Sequence, residues 1–232
     1  MSELKILPVR KKIIKTKGKK KKLNPILPKP NSGVICLVAN TTGGKSTVLI
    51  NCLLRFYRDY FKAGHIFWIS PTVEADDMCW SLLEDEHVTT LSDLTNLDAY
   101  IMGIIEQQME DLENDEIEDC CIVLDDCLGS LRNSKALNAL ASRGRHARIT
   151  PFITTQNFKK LDPTIRYNTS YWLMWTLNSK KELLSIEEEM NGIFPDFMKY
   201  YKIATEEPYS FLYADMKKGI LRERFGKILY KK

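Results

Sequence analysis

Val34-Ile-Cys-Leu-Val-Ala-Asn-Thr-Thr-Gly-Gly-Lys-Ser-Thr47 carries the strongest signal in the chain. A short apolar run predicts a buried strand, a glycine-containing loop follows, and Lys45-Ser46-Thr47 opens an amphipathic helix expected to run to about Phe61. Strand, loop and helix in that order form the setting in which a phosphate-binding loop works. Backbone N–H groups from Thr42 to Ser46 are expected to point into the loop, and the helix N-terminus adds its partial positive charge to theirs. Asn40, Thr41, Thr42, Gly43, Gly44, Lys45, Ser46 and Thr47 are therefore the candidate nucleotide-binding residues. Lys45 is placed to reach the β- and γ-phosphates of ATP and the Ser46 hydroxyl to ligate Mg²⁺. The first glycine of the G-x-x-x-x-G-K-[ST] pattern is Ala39 here. Alanine is acceptable provided the backbone keeps φ negative, because only a left-handed turn penalises its Cβ.

A second signature lies downstream in Cys120-Cys-Ile-Val-Leu-Asp-Asp126. An apolar strand ending in two carboxylates delivers them to the sheet edge that holds the phosphates. Asp125 is the candidate Mg²⁺ partner and Asp126 the group that orients or deprotonates the attacking water. Hydrolytic ATPases often have Asp-Glu at this point, so Asp126 is one methylene shorter than the usual base. Ile149-Thr-Pro-Phe-Ile-Thr-Thr-Gln156 predicts a further strand, whose terminal Gln156 is the candidate sensor of the γ-phosphate or of the water. Just before it, Arg143-Gly-Arg-His-Ala-Arg148 gathers three arginines where a neighbouring subunit can receive a charge-stabilising finger.

The rest of the chain alternates in the same way. His65–Ser70 and Ser170–Leu177 predict buried strands, and the second is expected to be central because it is apolar throughout. Helices are predicted from Asp98 to about Leu112, from Ser134 to Ser142, from Leu183 to Met190 and from Pro195 to Tyr201. Residues 71–97 and 157–168 predict loops, the former with short helices. Tyr209–Ala214 and Ile220–Phe225, joined at Lys217-Lys-Gly219, predict a C-terminal hairpin. Together these elements imply an α/β domain with a largely parallel sheet and helices on both faces.

Charge divides the chain of 232 residues. Its net +4 conceals eleven Lys or Arg against one acid, Glu3, in residues 1–30, leaving 23 basic and 29 acidic residues in the remainder. Lysines at 19–22 and prolines at 25, 28 and 30 predict an arm, residues 1–30, that is disordered or extended, ahead of a domain spanning 31–232. Lys19, Lys20, Lys21 and Lys22 are the candidate contacts to nucleic-acid phosphates. No apolar stretch approaches the length of a membrane span. Six cysteines without C-x-x-C spacing predict buried thiols and a reducing, intracellular compartment.

Four features then act together: Ala39–Ser46, Ile122-Val-Leu-Asp-Asp126, Gly144-Arg-His146 with Ile153-Thr-Thr-Gln156, and Pro163-Thr-Ile-Arg-Tyr-Asn168 before a strand. Over roughly residues 33–215 the chain resembles the FtsK–HerA superfamily of DNA-pumping ATPases, and within it the small genome-packaging ATPases of poxviruses, giant DNA viruses and virophages. The resemblance implies a RecA-like core working as a ring, with six subunits expected, that threads double-stranded DNA through its centre, past basic loops for which Arg132 and Lys135, just after the paired aspartates, are the candidate DNA contacts. It also implies a capsid vertex or portal as docking partner, and a viral factory in host cytoplasm or a virion as the place of action. Carried over by position, Lys45 and Ser46 match the phosphate and Mg²⁺ ligands and Asp125 the second Mg²⁺ partner. Asp126 matches the catalytic acid, Gln156 the sensor and Arg145 the trans-acting arginine, with Arg143, Arg148 and Arg166 as alternatives to Arg145. Two other readings of the residues stand beside this one. A nucleotide or small-molecule kinase would use Arg143–Arg148 as a lid, and an ATP-switched scaffold would bind DNA through the lysine arm.

Overall fold

The computed structural model describes residues 23–75, 79–127, 129, 131 and 133–232. Nine strands form one sheet: β1 (Val34–Val38), β2 (Ile66–Ile69), β3 (Val88–Leu91), β4 (Cys120–Leu124), β5 (Ile149–Thr155), β6 (Thr169–Trp175), β7 (Phe211–Asp215), β8 (Ile220–Glu223) and β9 (Ile228–Lys231). Their spatial order is β3-β2-β4-β5-β1-β6-β7-β8-β9. The first six run parallel, and β7, β8 and β9 close the sheet as an antiparallel meander. Strands β1, β4, β5 and β6 are buried along their whole length, as apolar central strands of a parallel sheet must be.

Because side chains alternate along a strand, each central strand feeds two cores. Val34, Cys36 and Val38 of β1 pack with Ile122, Leu124, Ile153 and Trp172. On that face lie α3 (Leu97–Glu113), α4 (Lys135–Arg143), α5 (Pro163–Asn168), α6 (Lys180–Asn191) and α7 (Phe197–Ala204). Ile35 and Leu37 point to the other face, with Cys121, Val123, Phe152 and Leu173. There they meet Leu49 of α1 (Lys45–Asn51), Leu53 of the π-helical turn Cys52–Phe56 that continues it, and Leu82 of α2 (Trp80–Leu83). The chain leaves β1 toward one face and β5 toward the other. Adjacent parallel strands whose connections diverge in this way open a crevice at their carboxyl ends.

Five local expectations change. The first helix ends at Phe56 rather than Phe61, because Tyr57 turns into the core and its hydroxyl donates to the Pro28 carbonyl at 2.5 Å. Strand β3 lies in the segment read as loop and short helices; two threonines in four half-exposed edge residues give it no apolar signal. The loop at 157–168 contains α5, whose start is fixed by Asp162 accepting from the Thr164 amide at 2.7 Å, with Pro163 following. The hairpin has a third strand, β9, on the outer edge. Residues Leu23–Pro30, placed in the arm on composition, lie on the domain, with Ile26 and Leu27 buried beside α1. All six cysteines are buried free thiols. No helix among the described residues is long and apolar enough to cross a membrane.

Candidate nucleotide site

The crevice is assembled from the carboxyl ends of β1, β4 and β5. After Val38 the chain makes a tight loop in which Thr42 (φ 63°) and Gly44 (φ 97°) take left-handed backbone. Gly44 is a conformational requirement, whereas Gly43 is a steric one: a Cβ there would lie 2.8 Å from the Ala39 Cβ. Ala39 is not among the residues with positive φ, so the missing first glycine costs no backbone strain. Alanine at 39 and glycine at 43 thus share one space between them.

Lys45 opens α1 and turns back into the loop. Its Nζ donates to the carbonyls of Ala39 (2.9 Å) and Asn40 (3.1 Å), and the residue is only 6% exposed. Burial lowers its pKa while the charges of Asp126 and Asp125 push it back up, so the ammonium sits in a field made by both acids. Asn40 anchors the loop to β6, its amide donating to the Thr176 carbonyl at 3.2 Å. Thr47 occupies the first turn of α1.

Two aspartates leave β4 with opposite fates. Asp125 is buried; its Oδ2 lies 3.4 Å from the Ser46 hydroxyl and its Oδ1 accepts from Thr154 Oγ1 at 2.8 Å. Burial raises its pKa, against the Thr154 hydrogen bond that lowers it; the charge of Asp126 raises it further, and Lys45 opposes. Asp126, exposed and in left-handed backbone (φ 54°), faces the crevice mouth. Gln156 is exposed at the tip of β5; its amide nitrogen lies 3.4 Å from Asp126 Oδ2 and its amide oxygen accepts from the Thr41 hydroxyl at 3.0 Å. The loop, Gln156 and Asp126 are therefore linked in one chain of contacts.

Thr154 was missed by sequence reasoning. Its hydroxyl accepts from the Asp126 amide (3.0 Å) while donating to Asp125, so one side chain sets the relative positions of both acids. The signal was available: on β5, next to β4, a polar residue two before Gln156 shares its face of the strand.

The arginines fall elsewhere. Arg143 and Arg145 are exposed at the start of β5, whose seven residues separate them from Gln156 by roughly 20 Å. No side-chain hydrogen bond or ion pair of theirs appears among the described residues. Arg148 is bound within the domain: its Nε donates to Asp119 at 2.7 Å and its Nη1 to the Ile117 carbonyl at 3.3 Å. Asp119 also receives Asn31 and the Tyr60 hydroxyl. Arg166 pairs with Glu189 at 2.9 Å and lies over the Phe158 ring. Lys135 is exposed at the first residue of α4. Arg132 and Lys19–Lys22 lie outside the described residues.

The donor set fits a magnesium nucleotide. Ser46 and Asp125 offer two oxygens close enough to ligate one small hard cation that keeps waters in its other positions. A carboxylate buried this deeply also gains from a cation beside it.

No curated protein sequence matches the chain. Among solved structures, the DNA-packaging ATPase B204 of Sulfolobus turreted icosahedral virus superposes with a TM-score of 0.64 at 13% identity, over 83% of this chain and 96% of that one. B204 of Sulfolobus turreted icosahedral virus 2 in complex with AMP gives 0.63 at 13% identity, over 87% and 98%. The pCW3 conjugation coupling protein TcpA with ATPγS gives 0.58 at 15% identity, over 78% and 57%. These likenesses establish a RecA-like P-loop fold. The family described as Poxvirus A32 protein matches residues 29–218, and the chain belongs to that family, a viral packaging ATPase of the FtsK–HerA type.

Proposed function

We propose that this chain is the ATP-hydrolysing motor that drives double-stranded DNA into a preformed viral capsid, working as a ring of six identical subunits. The single observation that carries the reading is the contact chain Thr41–Gln156–Asp126 beside Lys45, with Ser46 and Asp125 beneath it. Loop amides and Lys45 hold the triphosphate. Ser46 and Asp125 would hold Mg²⁺, which would supply charge neutralisation for the β- and γ-phosphates. Asp126 takes a proton from water, whose oxygen bonds to the γ-phosphorus as the bridging P–O bond breaks and ADP departs. Gln156, touching both loop and acid, orients that water and senses whether the γ-phosphate is present.

Arg145 acts on the neighbour's nucleotide rather than its own. It stands on the opposite sheet edge from the phosphate loop, so a head-to-tail contact that brings one subunit's amino edge to the next subunit's carboxyl edge supplies it in trans, and repetition of such a contact closes a ring. Arg143, equally exposed, is its alternative. Arg148 and Arg166 are held by Asp119 and Glu189 and serve the fold. The same placement weighs against a kinase lid, which has to close over the nucleotide of its own chain. Lys135, Arg132 and the lysine arm contact DNA phosphates without reading bases, as a motor indifferent to sequence requires. The motor works in a viral factory or virion, docked at a capsid vertex or portal.

The test is ATP turnover with and without duplex DNA at fixed salt, with the mass of the assembled particle measured on the same sample. DNA-stimulated turnover by a particle of six chains is the expected result. Turnover by a monomer, indifferent to DNA, would overturn the reading.

A further inference from the structure

Beside the phosphate loop lies a second hollow of about 410 Å³, and the hydrolytic machinery uses none of its far wall. One wall is the loop itself, Asn40 to Gly43; the other is the segment 205–210, with Trp175 and Thr176 from the end of β6. That segment is held in place: the Thr176 hydroxyl donates to the Thr205 carbonyl at 3.0 Å, the Ser210 amide to Glu207 O at 3.0 Å, and Trp175 Nε1 to the Tyr209 carbonyl at 3.2 Å. On this fixed turn Tyr209 stands in left-handed backbone (φ 60°) with its side chain outside the core, the residue being 74% exposed. Its ring edge reaches the loop: a Cβ placed on Gly44 would lie 3.7 Å from Tyr209 Cδ1.

An exposed aromatic held against a phosphate cradle needs a reason. Core packing is not available to it, since the ring faces solvent. We propose that Tyr209 is the stacking platform for the base of the bound nucleotide, and that the hollow between it and the loop is the nucleoside subsite; this rests on the reading of the loop as a triphosphate cradle. Charge orients the ligand. Amides and Lys45 attract the polyphosphate at one wall, whereas Glu206 and Glu207 on the other repel it and accept hydrogen bonds from ribose hydroxyls. A molecule with one anionic and one neutral, hydroxyl-bearing, flat-ringed end matches both walls.

The test measures Mg²⁺-dependent binding of ATP and of inorganic tripolyphosphate to the full chain, wild type and variants. Tyr209→Ala is expected to weaken ATP about tenfold, within the range that loss of one base–aromatic stack produces, while tripolyphosphate affinity stays unchanged. Tyr209→Phe keeps the ring and restores ATP affinity, which a role for the hydroxyl would not allow. Lys45→Ala loses both ligands. Unchanged ATP affinity in Tyr209→Ala, with Lys45→Ala defective, overturns the stacking and leaves the cradle standing. Equal weakening of both ligands in Tyr209→Ala also overturns it, because the ring would then be supporting the loop. Wild type that binds neither ligand overturns cradle and stacking together.

Discussion

The two edges of the parallel sheet carry polar networks of opposite character. At the amino edge, the Asp119 carboxylate is saturated: Arg148, Tyr60 and Asn31 all donate to it. At the carboxyl edge Thr154 holds Asp125 at 2.8 Å, but two of the contacts that face the crevice are long. Ser46 lies 3.4 Å from Asp125 and Gln156 lies 3.4 Å from Asp126, and both Asp126 and Gln156 are open to solvent. A saturated network has nothing left to offer a ligand and spends its hydrogen bonds on the fold. Under-coordinated groups on strained backbone, such as Asp126 and Thr42, belong where a ligand completes them. The contrast also sorts the arginines: Arg148 belongs to the saturated network, while Arg143 and Arg145 project from the same edge with no side-chain hydrogen bond or ion pair among the described residues.

The largest effect that would break this division comes from the loop. Lys45→Ala is expected to remove ATP turnover altogether, since no other cation among the described residues reaches the cradle. Arg145→Ala is expected to be equally inactive by itself, yet the two variants mixed should regain turnover, because the first supplies the arginine and the second the loop. A mixture that co-assembles, shown by particle mass, and stays inactive would move the finger to Arg143. Next in size is Asp126→Asn, expected to slow turnover by about 10²–10⁴, the usual worth of a general base, with ATP affinity kept. Unchanged turnover in that variant would transfer the role of base away from Asp126.

Much of this site was legible in sequence because its chemistry is local. Ala39–Thr47, Asp125 and Asp126, and Gln156 each sit at the end of an apolar strand, and period and punctuation alone bring them to one edge. What escaped depends on partners far away in the chain. Arg148 is set apart from Arg145 by its bonds to Asp119, twenty-nine residues earlier, and to the Ile117 carbonyl. Thr154 matters only because β5 lies beside β4. Tyr209 gains its place from the loop at Gly44, across the sheet. Strands β3 and β9 escaped for another reason: both are edge strands of four residues, half-exposed, and satisfied by pairing on one side only.

A smaller effect sharpens the amino-edge half of the comparison. Arg148→Ala is expected to leave turnover per folded ring unchanged and to cost about 1–2 kcal/mol of stability, a charged hydrogen bond discounted for its partial exposure. Burial pushes the Asp119 carboxyl up, but hydrogen bonds from Arg148, Tyr60 and Asn31 outweigh it and hold the pKa below the ordinary 3.8. A depressed carboxylate stabilises the fold above its unfolded value and loses that contribution as pH falls through its folded value. The stability gap between wild type and Arg148→Ala should therefore be full above about pH 4 and close on acidification, read by thermal melts across that window. A gap that widens on acidification would mean that Arg148 acts through some other group.

The smallest effect concerns the departure from the usual loop pattern. If Ala39 and Gly43 share one space, then Ala39→Gly should barely change turnover, because it removes a methyl that strains nothing. Gly43→Ala should be worse, since its Cβ meets the Ala39 Cβ at 2.8 Å in a loop whose amides must keep their aim, although its negative φ lets the backbone accept alanine. The double exchange, Ala39→Gly with Gly43→Ala, returns the first glycine of the common pattern and moves the methyl four residues along. Relief of the collision predicts that the double variant binds ATP better than Gly43→Ala alone. The recovery will be partial, for the new Cβ still lies 3.1 Å from the Asn40 carbonyl, one of the two that hold Lys45. Strict additivity of the two single changes would show instead that the methyls never competed, and that Ala39 is tolerated on backbone grounds alone.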